Sequence, residues 1–240
     1  MLKKLVAFGC SFTYGDELLD PTLPLNTHCC DSSNEDYRNS HCYAGIIAKH
    51  YNMEFINTAF PGASLEAMRY AAWWIKENID LSECLFMVGY TNPSRYSFFV
   101  ADRANPIDEY SNYYPERPDP PWNMFYHNTW LPFDDNQNTQ WHEMHRLWVN
   151  NSSHEEYDRF NLDQTIGYFN SFNVPTVNMM TNMHGMLKNL GSNVKNNCGF
   201  NLHECLSADD FCPKRHPNEN GHQKIAQRLI EYIDRVKLIE

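Results

Sequence analysis

The order of apolar runs and helix-like segments constrains the fold of this chain more than any other feature of its sequence. Short apolar runs bounded by turn residues predict buried strands over residues 2–9, 53–58 and 84–89. Between them, residues 43–51 and a segment capped by Ser64 have the pattern of helices. Strands joined through helices pair in parallel. The predicted fold class is therefore α/β, a three-layer α/β/α sandwich with a mostly parallel central sheet.

The second half of the chain continues this alternation after an interruption. A long helix is predicted from Ser152 or Ser153 to about Phe172, a fourth strand over 174–179 and a last helix over 217–236. The stretch 182–212 is ambiguous, with one helix expected near Met186 and loops around it. A chain of 240 residues is long enough for one sizeable core. We therefore expect a single domain over residues 1–240.

Residues 101–149 interrupt the alternation with many prolines, tyrosines and tryptophans. The segment is too aromatic for a disordered linker, so we expect an ordered insertion of irregular loops. It either packs as a cover on the core or faces a substrate as a lid. Aromatic rings beside Asp and Asn suit sugar rings, which is why the second alternative stays open.

The acidic balance of the chain limits its partners. With a formal net charge of −11 and a pI near 5.4, it lacks the basic surface that binds nucleic acid or anionic membranes. The first apolar run is too short for a secretion signal, and no run approaches a membrane span of about 20 residues. We expect a cytoplasmic protein that binds neither nucleic acid nor membrane. The sequence does not predict an oligomeric state.

The eight cysteines are expected to be free thiols in such a chain. Two groups of Cys and His invite the question of zinc: His28, Cys29, Cys30, His41 and Cys42 early in the chain, and Cys198, His203, Cys205 and Cys212 late. Neither group has the paired spacing of a zinc finger or ribbon. The sequence therefore predicts no metal and no other cofactor.

Candidate chemistry lies in the turns that follow the predicted strands, because ligands of parallel α/β sheets bind at the carboxyl ends of the strands. The first turn, Gly9-Cys10-Ser11-Phe12, holds a serine that can act as a nucleophile if a base and an oxyanion hole are nearby. A histidine that can be this base is His216, in Arg-His-Pro-Asn-Glu-Asn-Gly-His before the last helix.

These segments resemble the SGNH (GDSL-type) hydrolases, in the family's order. Gly9-Cys10-Ser11-Phe12 is similar to the family's nucleophile turn, with Cys10 in place of its acid. His216-Pro217 followed by Gly221-His222 is similar to the block that supplies the catalytic base. The resemblance implies the flavodoxin-like SGNH fold, Ser11 as nucleophile and His216 as base. The style of the turn is similar to that of bacterial and tailed-phage members, so a phage-encoded protein is one expectation.

The resemblance also implies an oxyanion hole, built by the N–H groups of Ser11 and Gly62 with Thr91 or Asn92 assisting. Strict spacing puts Thr91 at the family's asparagine position, and a shift of one residue brings in Asn92.

Other positions are candidates without a clear match to the family's pattern. The family's aspartate, three residues before the histidine, is replaced by Pro213, which leaves Asp209 and Asp210 as candidates for orienting His216. Arg95 is a candidate substrate-binding residue for a carboxylate or phosphate.

Some of the residues in these segments have a structural role as the alternative to a catalytic one. Ser11 can be a turn or cap residue. Cys10 is expected to pack as a small buried side chain rather than attack, and His222 is expected to be structural.

The predicted function is a serine esterase that removes a small O-acyl group, such as acetyl, from a small molecule or carbohydrate. Two alternatives use the same fold: a degenerate member that binds a glycan or a protein without hydrolysis, and an acyltransferase with the same site.

Overall fold

A computed structural model describes residues 2–91, 93, 96–99, 125–128, 154–181, 190 and 194–239, with the backbone alone for 96–99, 125–128, 154, 155 and 157. The described strands are β1 (Lys4–Phe8), β2 (Glu54–Asn57), β3 (Cys84–Tyr90), β4 (Tyr96–Phe99), β5 (Phe125–Asn128), β6 (Thr176–Met180) and β7 (Asn197–Asn201). The described helices are α1 (Ser11–Tyr14), α2 (Glu35–His41), α3 (Tyr43–His50), α4 (Leu65–Asn78), α5 (His154–Asn170) and α6 (Glu219–Val236).

Five strands form one sheet in the order β2-β1-β3-β6-β7, and every neighbouring pair in it is parallel. This order is that of the flavodoxin-like doubly wound sheets, in which the strand order reverses beside β1. The predicted α/β class with a parallel central sheet is confirmed. β4 and β5 form a separate antiparallel pair.

Alternate residues of the central strands face opposite layers of helices. Leu5 and Met87 belong to the cluster that packs against α3 and α6, whereas Val6 and Phe86 belong to the cluster under α4 and α5. All four side chains are fully buried. Strands covered on both faces are near-continuous apolar runs, which is the pattern that the sequence shows. The sheet is therefore the middle of three layers.

The helices begin where their sequences provide caps. The side chain of Ser64 accepts the N–H of Ala67 at 3.2 Å at the start of α4, and Asn218 accepts the N–H of Gly221 at 3.0 Å at the start of α6. Lys237, the residue that follows α6 and caps its C-terminus, has the left-handed conformation. Among the described residues, no helix is long and apolar enough to cross a membrane.

Two strands lie where the sequence predicted loops. β7 falls within the ambiguous stretch 182–212, and β5 falls within the insertion 101–149 that we expected to be irregular. β7 is an edge strand, so only part of it is buried and it lacks the continuous apolar run of a central strand. The helix expected near Met186 and the rest of the insertion lie outside the described residues.

Candidate active site

The turn after β1 places Ser11 at the carboxyl edge of the sheet. Gly9 allows the chain to leave the strand there, because a Cβ on it would lie 2.2 Å from the Oγ1 of Thr13 and 3.1 Å from the carbonyl oxygen of Gly89. Ser11 then begins the single turn of α1, and its carbonyl oxygen accepts the N–H groups of Gly15 and Asp16 at 3.1 and 3.0 Å. The serine therefore lies at the start of α1, directly after β1, and is 5% exposed.

Buried contacts from a second element fix α1 in place. The Thr13 hydroxyl and the Tyr43 hydroxyl lie 2.8 Å apart, and both side chains are fully buried. The guanidinium of Arg38 lies 4.1 Å from the centre of the Tyr14 ring. Since α1 has only four residues, these contacts with α2 and α3 supply the rigidity that a nucleophile needs.

Cys10 points into a small apolar cluster, which it forms with Phe60, Ala63 and Ala67. Its side chain is 3% exposed, and its Sγ atom lies 3.5 Å from the hydroxyl of Thr181. A thiol enclosed in this way is not presented to a substrate, in line with the expectation that Cys10 packs.

The turn after β2 docks on the same cluster and brings Gly62 toward the serine turn. Phe60 donates its N–H to the carbonyl oxygen of Gly9 at 3.2 Å, which ties the two turns together. Gly62 has a φ of 78°, a conformation that residues with a Cβ adopt at a cost. Within the described part of the chain, neither the N–H of Gly62 nor that of Ser11 donates a backbone hydrogen bond.

Thr91 follows β3 directly, so it lies at the same edge of the sheet. It is 1% exposed, and its hydroxyl has no hydrogen-bond partner among the described residues. A buried hydroxyl without a partner carries a desolvation cost. Asn92 and Arg95, the other candidates of this turn, lie outside the described residues.

A tight loop before α6 presents His216. The Cys212 carbonyl accepts the N–H of Arg215 at 2.9 Å, and the His216 carbonyl accepts the N–H of Cys212 at 2.7 Å. A bridge between Phe211 and Pro217 closes the loop. The imidazole packs edge-on against Phe12, with ring centres 5.3 Å apart. The neighbour of Ser11 is therefore the residue on which the histidine ring rests.

Glu17 holds the histidine from the other side. Its Oε2 atom lies 2.9 Å from Nδ1 of His216 and accepts the backbone N–H of the same residue at 3.2 Å. Its Oε1 atom accepts the N–H of Lys214 at 3.0 Å. With Nδ1–H donating to this carboxylate, Nε2 carries the lone pair that can accept a proton. Nε2 lies 3.7 Å from Oδ2 of Asp16, and no hydrogen bond joins the His216 ring to the Ser11 hydroxyl.

The chain reverses after α1 in a way that brings Glu17 to this position. Gly15 ends the helix with a φ of 84°, and Glu17 has a φ of 68°. A glutamate in the left-handed region is uncommon and strained. Such a backbone conformation is kept only where surrounding contacts compensate for the strain. Here three hydrogen bonds to the His216 loop compensate for that strain.

The two aspartates expected near His216 do not contact its ring. Asp210 is fully buried and binds Lys224, whose Nζ lies 2.7 Å from its Oδ2. It also accepts the hydroxyl and the N–H of Ser207 at 2.7 Å each. These contacts, that of Lys224 first, hold the pKa of Asp210 far below its usual range. Asp209 is exposed, and its carbonyl oxygen accepts the side-chain N–H of Asn218. The structure thus brings Glu17 to His216 and uses Asp210 to anchor α6.

His222 has the structural surroundings that the sequence predicted. Its ring is fully buried and stacks on Tyr43, with centres 5.9 Å apart, and its Nδ1 accepts the backbone N–H of Tyr43 at 3.1 Å. Burial, with a smaller contribution from the neighbouring His216, lowers the pKa of His222 to about 3. It is therefore neutral throughout the physiological range.

Comparisons with known proteins give likenesses of fold only. No family model and no curated protein matches the sequence. One similar solved structure is a member of the lipolytic G-D-S-L family from Veillonella parvula DSM 2008, with a TM-score of 0.45 and 12% identity, covering 97% of this chain and 99% of that one. A proposed lipolytic protein of the G-D-S-L family from Desulfitobacterium hafniense DCB-2 has a TM-score of 0.43 and 10% identity, covering 96% and 99%.

A third similar structure is a family two carbohydrate esterase from Clostridium thermocellum in complex with cellohexaose. Its TM-score is 0.38 and its identity 14%, and the match covers 99% of this chain and 65% of that one. At identities this low these structures assign no activity to this chain.

Proposed function

We propose that this protein is a serine esterase in which Ser11 is the nucleophile, His216 the general base and Glu17 the residue that orients the base. The observation that carries the proposal is the 2.9 Å contact between Glu17 and Nδ1 of His216, made beside Phe12 and hence one residue from Ser11. A carboxylate on one ring nitrogen leaves the other nitrogen free to accept the proton of a nucleophile.

The reaction begins when Nε2 of His216 takes the hydroxyl proton of Ser11 while the serine oxygen attacks the ester carbonyl. The carbonyl oxygen becomes an oxyanion, which the N–H groups of Ser11 and Gly62 stabilise together with the hydroxyl of Thr91. Each such donor contributes on the order of 3 kcal/mol in comparable enzymes. Collapse of the intermediate expels the alcohol, which receives the proton from His216.

Water completes the cycle by the same steps in reverse. His216 takes a proton from water as the water oxygen attacks the acyl-serine ester, and it returns that proton to Ser11 when the acid leaves. The ring must approach the Ser11 hydroxyl for these transfers, since no hydrogen bond joins them without substrate. Catalytic hydrogen bonds are often long in unliganded enzymes and tighten when the substrate binds.

We assign the substrate as a small O-acyl ester, such as an acetyl group on a carbohydrate. Ser11 is almost buried, and Phe12 and Phe60 pack with the neighbouring Cys10, which favours a short acyl chain. The aromatic, proline-rich composition of residues 101–149 favours a sugar as the alcohol component.

The test is hydrolysis of an aryl acetate by the wild type, Ser11→Ala and Cys10→Ala, with labelling by a fluorophosphonate. We expect the wild type and Cys10→Ala to hydrolyse the ester and to be labelled, and Ser11→Ala to do neither. Equal hydrolysis by the wild type and Ser11→Ala would exclude Ser11 as the nucleophile. A folded wild type that is neither active nor labelled would favour the binding protein, and faster acyl transfer to an added alcohol than to water would favour the transferase.

A further inference from the structure

A cluster of soft ligand atoms lies next to the candidate active site, in the loop before α2. A ring nitrogen of His28 and the Sγ atoms of Cys29 and Cys30 all lie within 4.8 Å of one another. The two Sγ atoms are 3.9 Å apart, and that of Cys29 lies 4.0 Å from Nδ1 of His28. Oδ1 of Asp16 accepts a hydrogen bond from the Cys29 thiol at 3.0 Å, although Asp16 is not one of the residues whose ligand atoms all lie within 4.8 Å of one another.

The separation of the two sulfur atoms fits two ligands of one tetrahedral ion. Zinc binds cysteine sulfur at about 2.3 Å, so two thiolates on one tetrahedral zinc lie about 3.8 Å apart. Thiolate, imidazole and carboxylate are the ligands that zinc takes in proteins, and two cysteines with a histidine favour it over calcium or magnesium.

The loop is held in this conformation by buried polar side chains. The carbonyl oxygen of Cys29 accepts from Nη1 of Arg38 at 2.7 Å and from Nδ2 of Asn34 at 2.8 Å. Arg38 is 2% exposed and Asn34 is fully buried. Asp31 accepts the backbone N–H of His28 at 2.9 Å. Two buried side chains on one loop carbonyl are the kind of outer support that fixes metal ligands before the ion binds.

The remaining cysteine and histidine of the early sequence group lie elsewhere. Cys42 is fully buried in the core beside α3, and His41 stacks on Tyr37 with ring centres 4.0 Å apart.

We propose that His28, Cys29 and Cys30 bind one zinc-type divalent ion, and that Asp16 completes the site through a movement of its side chain. The ion clamps the loop before α2 to the turn that follows α1. Its carboxylate ligand has a second oxygen, Oδ2 of Asp16, which lies 3.7 Å from Nε2 of His216. The site is therefore joined to the candidate active site through one side chain, and it takes no part in the chemistry proposed for Ser11.

The experiment uses the full chain, reduced and freed of metal with a chelator, and Co²⁺ as the probe. We expect one equivalent to bind, with the intense visible absorption of tetrahedral cobalt and a near-ultraviolet thiolate-to-cobalt band, and Zn²⁺ to displace it. Cys29→Ser and Cys30→Ser should each weaken binding at least about 100-fold, and Asp16→Asn about 10- to 100-fold. Cys205→Ser, another partly buried free thiol, should bind cobalt as the wild type does.

Several results would overturn this assignment. They are a wild type that binds no cobalt, a spectrum of octahedral cobalt without the thiolate band, and unchanged binding by the Cys29→Ser, Cys30→Ser double variant. A thiol count two short in the unfolded protein before any reductant is added, restored to eight by reduction, would also contradict it, since it would mean a disulfide. Cobalt absorbance does not depend on hydrolysis, and Ser11→Ala should show the same spectrum. The metal site and the esterase proposal can therefore fail separately.

Discussion

Glu17 and His216 contact each other twice through one oxygen: Oε2 of the glutamate lies 2.9 Å from Nδ1 of the ring and 3.2 Å from the backbone nitrogen of the same histidine. The second contact fixes the position of the main chain, and the first fixes the rotation of the ring about it. A base held at both points keeps one tautomer and one orientation, which is the role of the carboxylate in a nucleophile–base–acid site.

The first prediction concerns this carboxylate. Glu17→Gln should lower kcat for an aryl acetate by about 10³- to 10⁴-fold, because an amide can donate to Nδ1 and so hold the proton on Nε2, the wrong nitrogen. KM should change little, since the substrate does not contact Glu17. Steady-state kinetics that separate kcat from KM, with circular dichroism to check the fold, make the measurement.

Asp210 provides the matched control for that change. Asp210→Asn leaves a buried amide facing Lys224, so we expect the free energy of unfolding to fall by about 2 kcal/mol. The kcat of the folded protein should stay within a few-fold of the wild-type value. If Asp210→Asn abolished turnover in a folded protein and Glu17→Gln did not, the assignment of the orienting carboxylate would be reversed.

Some features of the fold and the candidate site could be predicted from the sequence, and others, such as the contact of Glu17 with His216, could not. The central strands were predictable because each is a short apolar run, whereas Ser11 and His216 stay predictions that rest on two compact motifs. Glu17 was missed because it contacts a residue 199 positions away and is placed there by a left-handed φ that no local pattern of a non-glycine residue indicates. β7 was missed because an edge strand needs no continuous apolar run.

The second prediction concerns Gly62 as an oxyanion donor. Gly62→Ala places a Cβ on a residue with a φ of 78°, which should cost about 1 kcal/mol of stability and lower kcat by about 10- to 100-fold as the N–H moves. Gly199→Ala is the control, because Gly199 has the same φ and open space where its Cβ would lie. Equal losses of stability with equal kcat values in the two variants would remove Gly62 from the oxyanion hole.

The third prediction concerns the buried hydroxyl of Thr91. Thr91→Val replaces a hydroxyl that has no partner within the described structure by a methyl group of similar size. The thermal midpoint should therefore stay the same or rise, whereas kcat should fall by about 10²-fold if the hydroxyl stabilises the oxyanion. An unchanged kcat with a higher thermal midpoint would mean that Thr91 has a purely structural role. Thr165→Val on α5 is the control, because the Thr165 hydroxyl does have a partner: it donates to the carbonyl oxygen of Asn161. Its loss should lower the thermal midpoint.

The last prediction concerns acid stability and rests on His222. Its pKa is lowered to about 3 in the folded protein, against an ordinary value of 6.5, because the ring is buried. Between these two values the unfolded chain binds the proton and the folded protein does not, so acid favours unfolding. The contribution of the neutral His222 ring to the free energy of unfolding is present in full above pH 6.5. It falls by up to about 1.4 kcal/mol per pH unit as the pH drops toward 3.

This coupling of acid to unfolding is tested by urea unfolding at pH 7, 6 and 5. The proteins compared are the wild type, His222→Asn and His50→Asn. Asparagine keeps an acceptor for the backbone N–H of Tyr43 but cannot be protonated, so His222→Asn should be less stable at pH 7 and should lose less stability on acidification. His50 is exposed, and its replacement should leave the slope of the wild type. A slope that is the same in all three proteins would mean that His222 is not the group whose protonation couples acid to unfolding.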